Sequence, residues 1–232
     1  MWGLDKMEQL LEQAEAFRAQ KHGEDVDPNW TLLTGMKLPK SFKTAYEHPQ
    51  APVFTHMIEN NFPNLYEDST MVIYLNAALP YTDAYPGAEN RAAMSFMHLL
   101  ICPKERIYNI KTLRKSDEGL LNYMKRATES LFQYKGFVYK VLPSVLEQCL
   151  TYDDNLFGVF THERRVKLTD FVKKICELNI NQLSWWFHEH PNHSVGHLHM
   201  HCILNTTLTD AYILNSPKNV SYESVVAQLQ KK

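Results

Sequence analysis

Ser194-Val195-Gly196-His197-Leu198-His199-Met200-His201-Cys202-Ile203-Leu204 is the stretch on which the reading of this chain turns. From His197 onward, imidazole and apolar side chains alternate strictly, which is the period of a β-strand. A strand over His197–Leu204 places His197, His199 and His201 on one face, with neighbours about 6.5–7 Å apart. Leu198, Met200 and Cys202 then point the other way, into a core. Six of the 11 histidines fall in the 14 residues from His188 to His201. A row of imidazoles can ligate a metal, move protons near neutral pH, or attack phosphorus. His188 and His190, two apart on the preceding predicted strand, could complete a metal site, so spacing alone leaves these chemistries open.

The remainder of the chain bounds the choice. Its 232 residues carry 44% hydrophobic and 22% charged side chains, enough apolar material for a core. Lys and Arg number 24 against 26 Asp and Glu, a net charge of −2. That balance disfavours a protein whose main task is neutralising a phosphate backbone, while leaving room for a local basic groove. Cys102, Cys149, Cys176 and Cys202 show neither a CxxC redox pair nor a cysteine zinc pattern. Met1 to Leu11 is interrupted by Asp5, Lys6 and Glu8, and no run of eighteen apolar residues occurs. These features predict an intracellular chain, cytoplasmic or nuclear, with no membrane partner.

Working outward, helical spacing predicts an amphipathic helix over Leu4–Lys21, docked on the body, and Pro-rich coil over Gly23–Pro52. Strands are expected over Met71–Leu79 and Ser95–Cys102, the second stopped by Pro103, with a long loop between them. Ser116 is the expected N-cap of a helix running to Phe132 and ended by Gly136. Two further helical stretches fall around Leu142–Leu150 and Asp170–Leu178, the latter capped by Thr169. Leu183–Glu189 reads as a strand, Pro191–Gly196 as a turn and Ser221–Leu229 as a last helix. The fold class is α+β, with a mainly antiparallel sheet flanked by helices. Residues 1–70 form an N-terminal extension of helix plus coil, and 71–232 the main domain with a helical insertion at about 137–180.

A second motif precedes the first. His98, Pro103, Lys104 and Ile107 lie ahead of the helix that begins near Ser116. Together with Ser194 and the H-φ-H-φ-H-φ-φ run from His197, this pattern resembles the histidine-triad (HIT) family of nucleotidyl hydrolases and transferases. The resemblance covers roughly Met71–Leu131 and Leu183–Leu204. His188-x-x-Pro191 is similar to the scavenger mRNA-decapping and aprataxin branches of that family.

The resemblance implies a HIT-like fold and cleavage of an activated α-phosphate through a covalent nucleotidyl-histidine, releasing a nucleoside monophosphate. His199 would be the nucleophile. His197 and His201 would hold phosphoryl oxygens, Ser194 would assist the leaving group, and His98 and His188 would support the substrate. The family commonly places an acid on the ribose hydroxyls at the end of the first strand, and Asn76 is its counterpart here. No cofactor or metal is implied. The partner is a nucleotide substrate, with nucleic acid less favoured; a homodimer is compatible with the pattern. Tyr81 and Tyr85 are candidates for base stacking or for ordinary packing. The competing readings are a metal-dependent hydrolase and a non-catalytic nucleotide-binding protein.

Overall fold

The computed structural model describes residues 11–12, 15–16, 18–19, 53–156, 162–189 and 195–232. The predicted turn around Pro191, with His190 and Ser194, the whole Gly23–Pro52 coil and most of the predicted Leu4–Lys21 helix lie outside these. Six strands form one antiparallel sheet: β1 (Tyr66–Glu67), β2 (Met71–Leu75), β3 (His98–Pro103), β4 (Leu183–His188), β5 (Met200–Leu204) and β6 (Asn219–Ser221). Their spatial order is β1-β2-β3-β5-β4-β6. The architecture is mixed α+β, the helices being α1 (Val53–Glu59), α2 (Glu118–Gln133), α3 (Lys135–Leu156), α4 (His162–Cys176), α5 (Asp210–Asn215) and α6 (Tyr222–Gln230).

Strand alternation gives the sheet two unlike faces. Met71, Ile73, Leu99, Ile101, Met200, Cys202, Trp185 and Phe187 form the main core face. α2 packs there through Leu121, Met124, Thr128 and Phe132, a helical spacing. Burying each large apolar side chain stabilises the fold by about 1.5–3 kcal/mol. The opposite face carries Tyr74, Leu100, His98, His201 and Trp186. Its β2–β3 end is covered by α1, whose Phe54 and Ile58 pack with Val72, Tyr74, Leu100 and Cys102. The histidines therefore occupy the stretch of this face that α1 leaves to β3, β5 and β4.

Several boundaries differ from the sequence reading. The first strand stops at Leu75 instead of Leu79, because the Asn76 side chain accepts a hydrogen bond from Ala78 N (3.0 Å) and turns the chain. β3 starts at His98, not Ser95; the Ser95 hydroxyl turns to Leu204 O and Thr207 instead. Pro103 is the last paired residue of β3, opposite Met71, and not a stop before it. A 3-10 turn over Lys115–Asp117 replaces the Ser116 cap, with Asp117 accepting from Arg114 N (2.7 Å). Gly136 does not end the helix: the break falls at Tyr134, whose backbone is extended, and α3 begins at Lys135. Thr169 lies inside α4, and Pro143 inside α3. β5 starts at Met200, so His197 and His199 precede the paired strand. Ser221 does cap α6, accepting from Ser224 N.

At the N-terminal side, Arg18 donates to Asp117 (2.8 Å) and Glu105 (2.9 Å), and Arg114 pairs with Glu15. These ion pairs join the helical residues Glu15 and Arg18 to the turn before α2 and to the loop after β3. Among the described residues no helix is long and apolar enough to cross a membrane.

Candidate active site

The site is a row of buried imidazoles whose tautomers follow from their partners. His98 on β3 accepts at Nδ1 from the backbone N–H of Met94 (3.2 Å). Asn76 Nδ2 donates to the same nitrogen at 2.9 Å, the amide being oriented by the bond from Ala78 N to its Oδ1. A neutral imidazole that accepts at Nδ1 carries its proton on Nε2. His98 Nε2–H therefore donates to His201 Nδ1, 2.8 Å away. That in turn places the His201 proton on Nε2, a buried N–H without a protein partner among the described residues.

His199 has the reverse polarity. Its Nδ1 lies 2.8 Å from the carbonyl oxygen of His197, which can only accept, so Nδ1 carries the proton and the Nε2 lone pair stays free. Phe54 packs on the ring at 4.9 Å and His201 meets it at 4.8 Å in an edge arrangement. Burial pushes His199 down to about 4 from its ordinary 6.5, only partly opposed by the bond to His197. Burial also holds His98 and His188 down at about 3, and His201 well below its usual value, helped by the neighbouring imidazoles. All four are neutral at pH 7, so the free Nε2 lone pair of His199 and the unpartnered Nε2–H of His201 belong to adjacent, uncharged rings.

The remaining candidates fall into place less evenly. His197 is buried and uses both ring nitrogens on the scaffold: Nε2–H donates to Pro103 O (2.8 Å) and Nδ1 accepts from the Thr55 hydroxyl (2.7 Å). Its carbonyl oxygen in turn accepts from His199 Nδ1–H. Asn76 likewise bonds His98 and Ala78. His188 stacks on His201 at 4.3 Å and donates from Nε2 to Asn219 Oδ1 (3.0 Å). Ser194 lies outside the described residues.

Tyr81 is buried against Phe96, with Arg164 4.7 Å over its ring, and the Tyr85 hydroxyl accepts from Leu79 N. Both are packing residues in this arrangement. Among the described residues no three His, Cys, Asp or Glu side chains converge in a geometry that could hold a metal ion.

Sequence reasoning missed several residues of the site. Phe54 and Thr55 come from α1, in a stretch read as extension, and Met94 contributes only its backbone. Asn219 arrives on a three-residue strand too short to show a period. Lys218, half-buried beside it, adds positive charge that disfavours protonation of His188 and His201.

No protein-family model matches this chain, and no curated protein does. Solved structures do match at 14% identity. A crystal structure of the aprataxin ortholog Hnt3 in complex with DNA aligns over 79% of this chain and 76% of its own, with a TM-score of 0.34. The aprataxin ortholog Hnt3 from Schizosaccharomyces pombe aligns over 76% and 71%, with a TM-score of 0.33. Likeness at that level transfers no chemistry to this chain.

Proposed function

We propose that this protein is a nucleotide hydrolase or transferase of the histidine-triad kind. It acts on an activated α-phosphate: a phosphoramidate, a dinucleoside polyphosphate, a cap dinucleotide or an adenylated nucleic-acid end. One observation carries the reading. His199 is held by a carbonyl at Nδ1 so that a neutral, unprotonated Nε2 stands open beside the unpartnered N–H of His201.

The Nε2 lone pair attacks the α-phosphorus, and the bond to the leaving group breaks with its electron pair. The result is a nucleotidyl-histidine. Water then cleaves the P–N bond, releasing the nucleoside monophosphate and restoring neutral His199. The N–H of His201 stabilises charge growing on a non-bridging oxygen. His98, held by Asn76 and Met94, keeps that N–H pointed at the substrate, and His188 packs His201 from the other side. His197 positions His199. Ser194, three residues before His197, enters as the group assisting departure from its place in the sequence.

With this reading goes a division of the chain. Residues 1–70 are an extension that lends Phe54 and Thr55 to the site, and 71–232 are the catalytic domain with helices inserted at about 137–180. The partner is a nucleotide, and the compartment intracellular.

The test is incubation of the wild type and His199→Asn with those four substrate types in metal-free buffer, with products identified by mass spectrometry. A nucleoside monophosphate from the wild type alone is expected, and its co-product names the leaving group. Absence of product, or equal product from both proteins, would overturn His199 as the nucleophile and return the weight to a metal-dependent or binding-only role.

A further inference from the structure

On the histidine face, Trp186 of β4 lies directly opposite His201 of β5 in the sheet register. Cross-strand neighbours on one face stand about 4.5–5.5 Å apart at Cβ. Trp185 and Phe187, its chain neighbours, are buried on the other face. The Trp186 ring is set by an edge contact with Tyr212 of α5, centroids 6.0 Å apart. Its Nε1–H is buried and, like the Nε2–H of His201, has no hydrogen-bond partner among the described residues. Buried donors are nearly always satisfied, so two orphans at facing positions of one sheet face mark a place built for an acceptor.

We infer that the indole N–H of Trp186 is a ligand-binding donor that, together with the Nε2–H of His201, receives a phosphoryl oxygen of the substrate. The nature of that oxygen rests on the function proposed above; the two-donor site itself does not. Both groups can only donate, since indole nitrogen has no lone pair to offer and His201 Nε2 is protonated by the chain of bonds from Met94. The position therefore takes an anionic oxygen and rejects an N–H or ammonium group. Trp186 lies one strand beyond His201 from the β2–β3 end of the sheet.

Indole NMR reads this directly. The chain has four tryptophans, and the Trp186 Nε1–H signal is assigned by its loss in Trp186→Phe, which keeps an aromatic ring beside Tyr212. Titration of the full-length wild type with AMP, and separately with inorganic phosphate, is expected to move that signal downfield saturably, while adenosine leaves it in place. Trp186→Phe is expected to bind AMP about ten- to a hundredfold more weakly. A signal unmoved by both AMP and phosphate, or moved equally by adenosine, overturns the inference and leaves the donors to an internal water. A downfield shift in a protein that turns over none of the four substrates keeps the oxygen site and removes only the nucleotidyl-transfer reading.

Discussion

Five histidines in one cluster differ in what their two nitrogens touch, and that decides their chemistry. His98, His188, His197 and His201 are expected to be Nε2–H tautomers and His199 alone Nδ1–H, because each has a partner that fixes one nitrogen. Long-range nitrogen–proton correlation NMR at pH 7 reads this pattern; an Nε2–H tautomer at His199 would contradict it. The same bonds govern pH dependence. His199 is neutral above about 4, so kcat/KM for a substrate without its own titration should hold from pH 7 down to about 5 and fall only near 4. An acid limb centred at 6.5 would mean that the nucleophile is an exposed, ordinary histidine.

A seven-residue helix shapes the site more than its length suggests. α1 supplies Phe54 against His199 and the Thr55 hydroxyl to His197, and is tied down by the ion pair of Glu59 with Arg106. Thr55→Val keeps the shape but removes the donor to a buried nitrogen. It should cost about 1–3 kcal/mol of stability, read as a lower urea midpoint, together with a loss of kcat/KM. An unchanged midpoint and rate would show that α1 is only a cover. The short β6 acts similarly through Asn219, which holds His188. Such brief elements carry almost no periodic signal, and so the sequence reading passed over α1, β1, α5 and β6 while finding β4 and α6 within a residue or so.

Across the whole molecule, stability is linked to keeping the histidines neutral. The folded chain holds His98 and His188 at about 3 and His199 at about 4, all below the ordinary 6.5. Between 6.5 and about 4 the unfolded chain therefore binds more protons. Stability is fully present above pH 6.5 and falls as the pH drops, by up to about 1.4 kcal/mol per pH unit for each histidine. Urea midpoints at pH 7 and pH 5 should differ accordingly, and equal midpoints would contradict the burial seen here. On the other face of the sheet, Phe187→Ala should cost about 3–5 kcal/mol by calorimetry or urea, since Phe187 is fully buried.

The interleaved helical and strand patterns were enough to predict an antiparallel α+β body, and the alternation from His197 to Leu204 to nominate the histidines as one group. A period of two sets the face of each side chain, and apolar residues on the other face demand a core. What each histidine could do was beyond the sequence. His197 spends both nitrogens on Pro103 and Thr55, Asn76 turns to His98, and the His201 Nε2–H is left without a partner among the described residues. Those outcomes depend on backbone carbonyls, amides and short helices brought together from positions far apart in the chain. Hydrogen-bond direction, and with it tautomer and nucleophilicity, is a property of the packed neighbourhood and is written in no local pattern of residues.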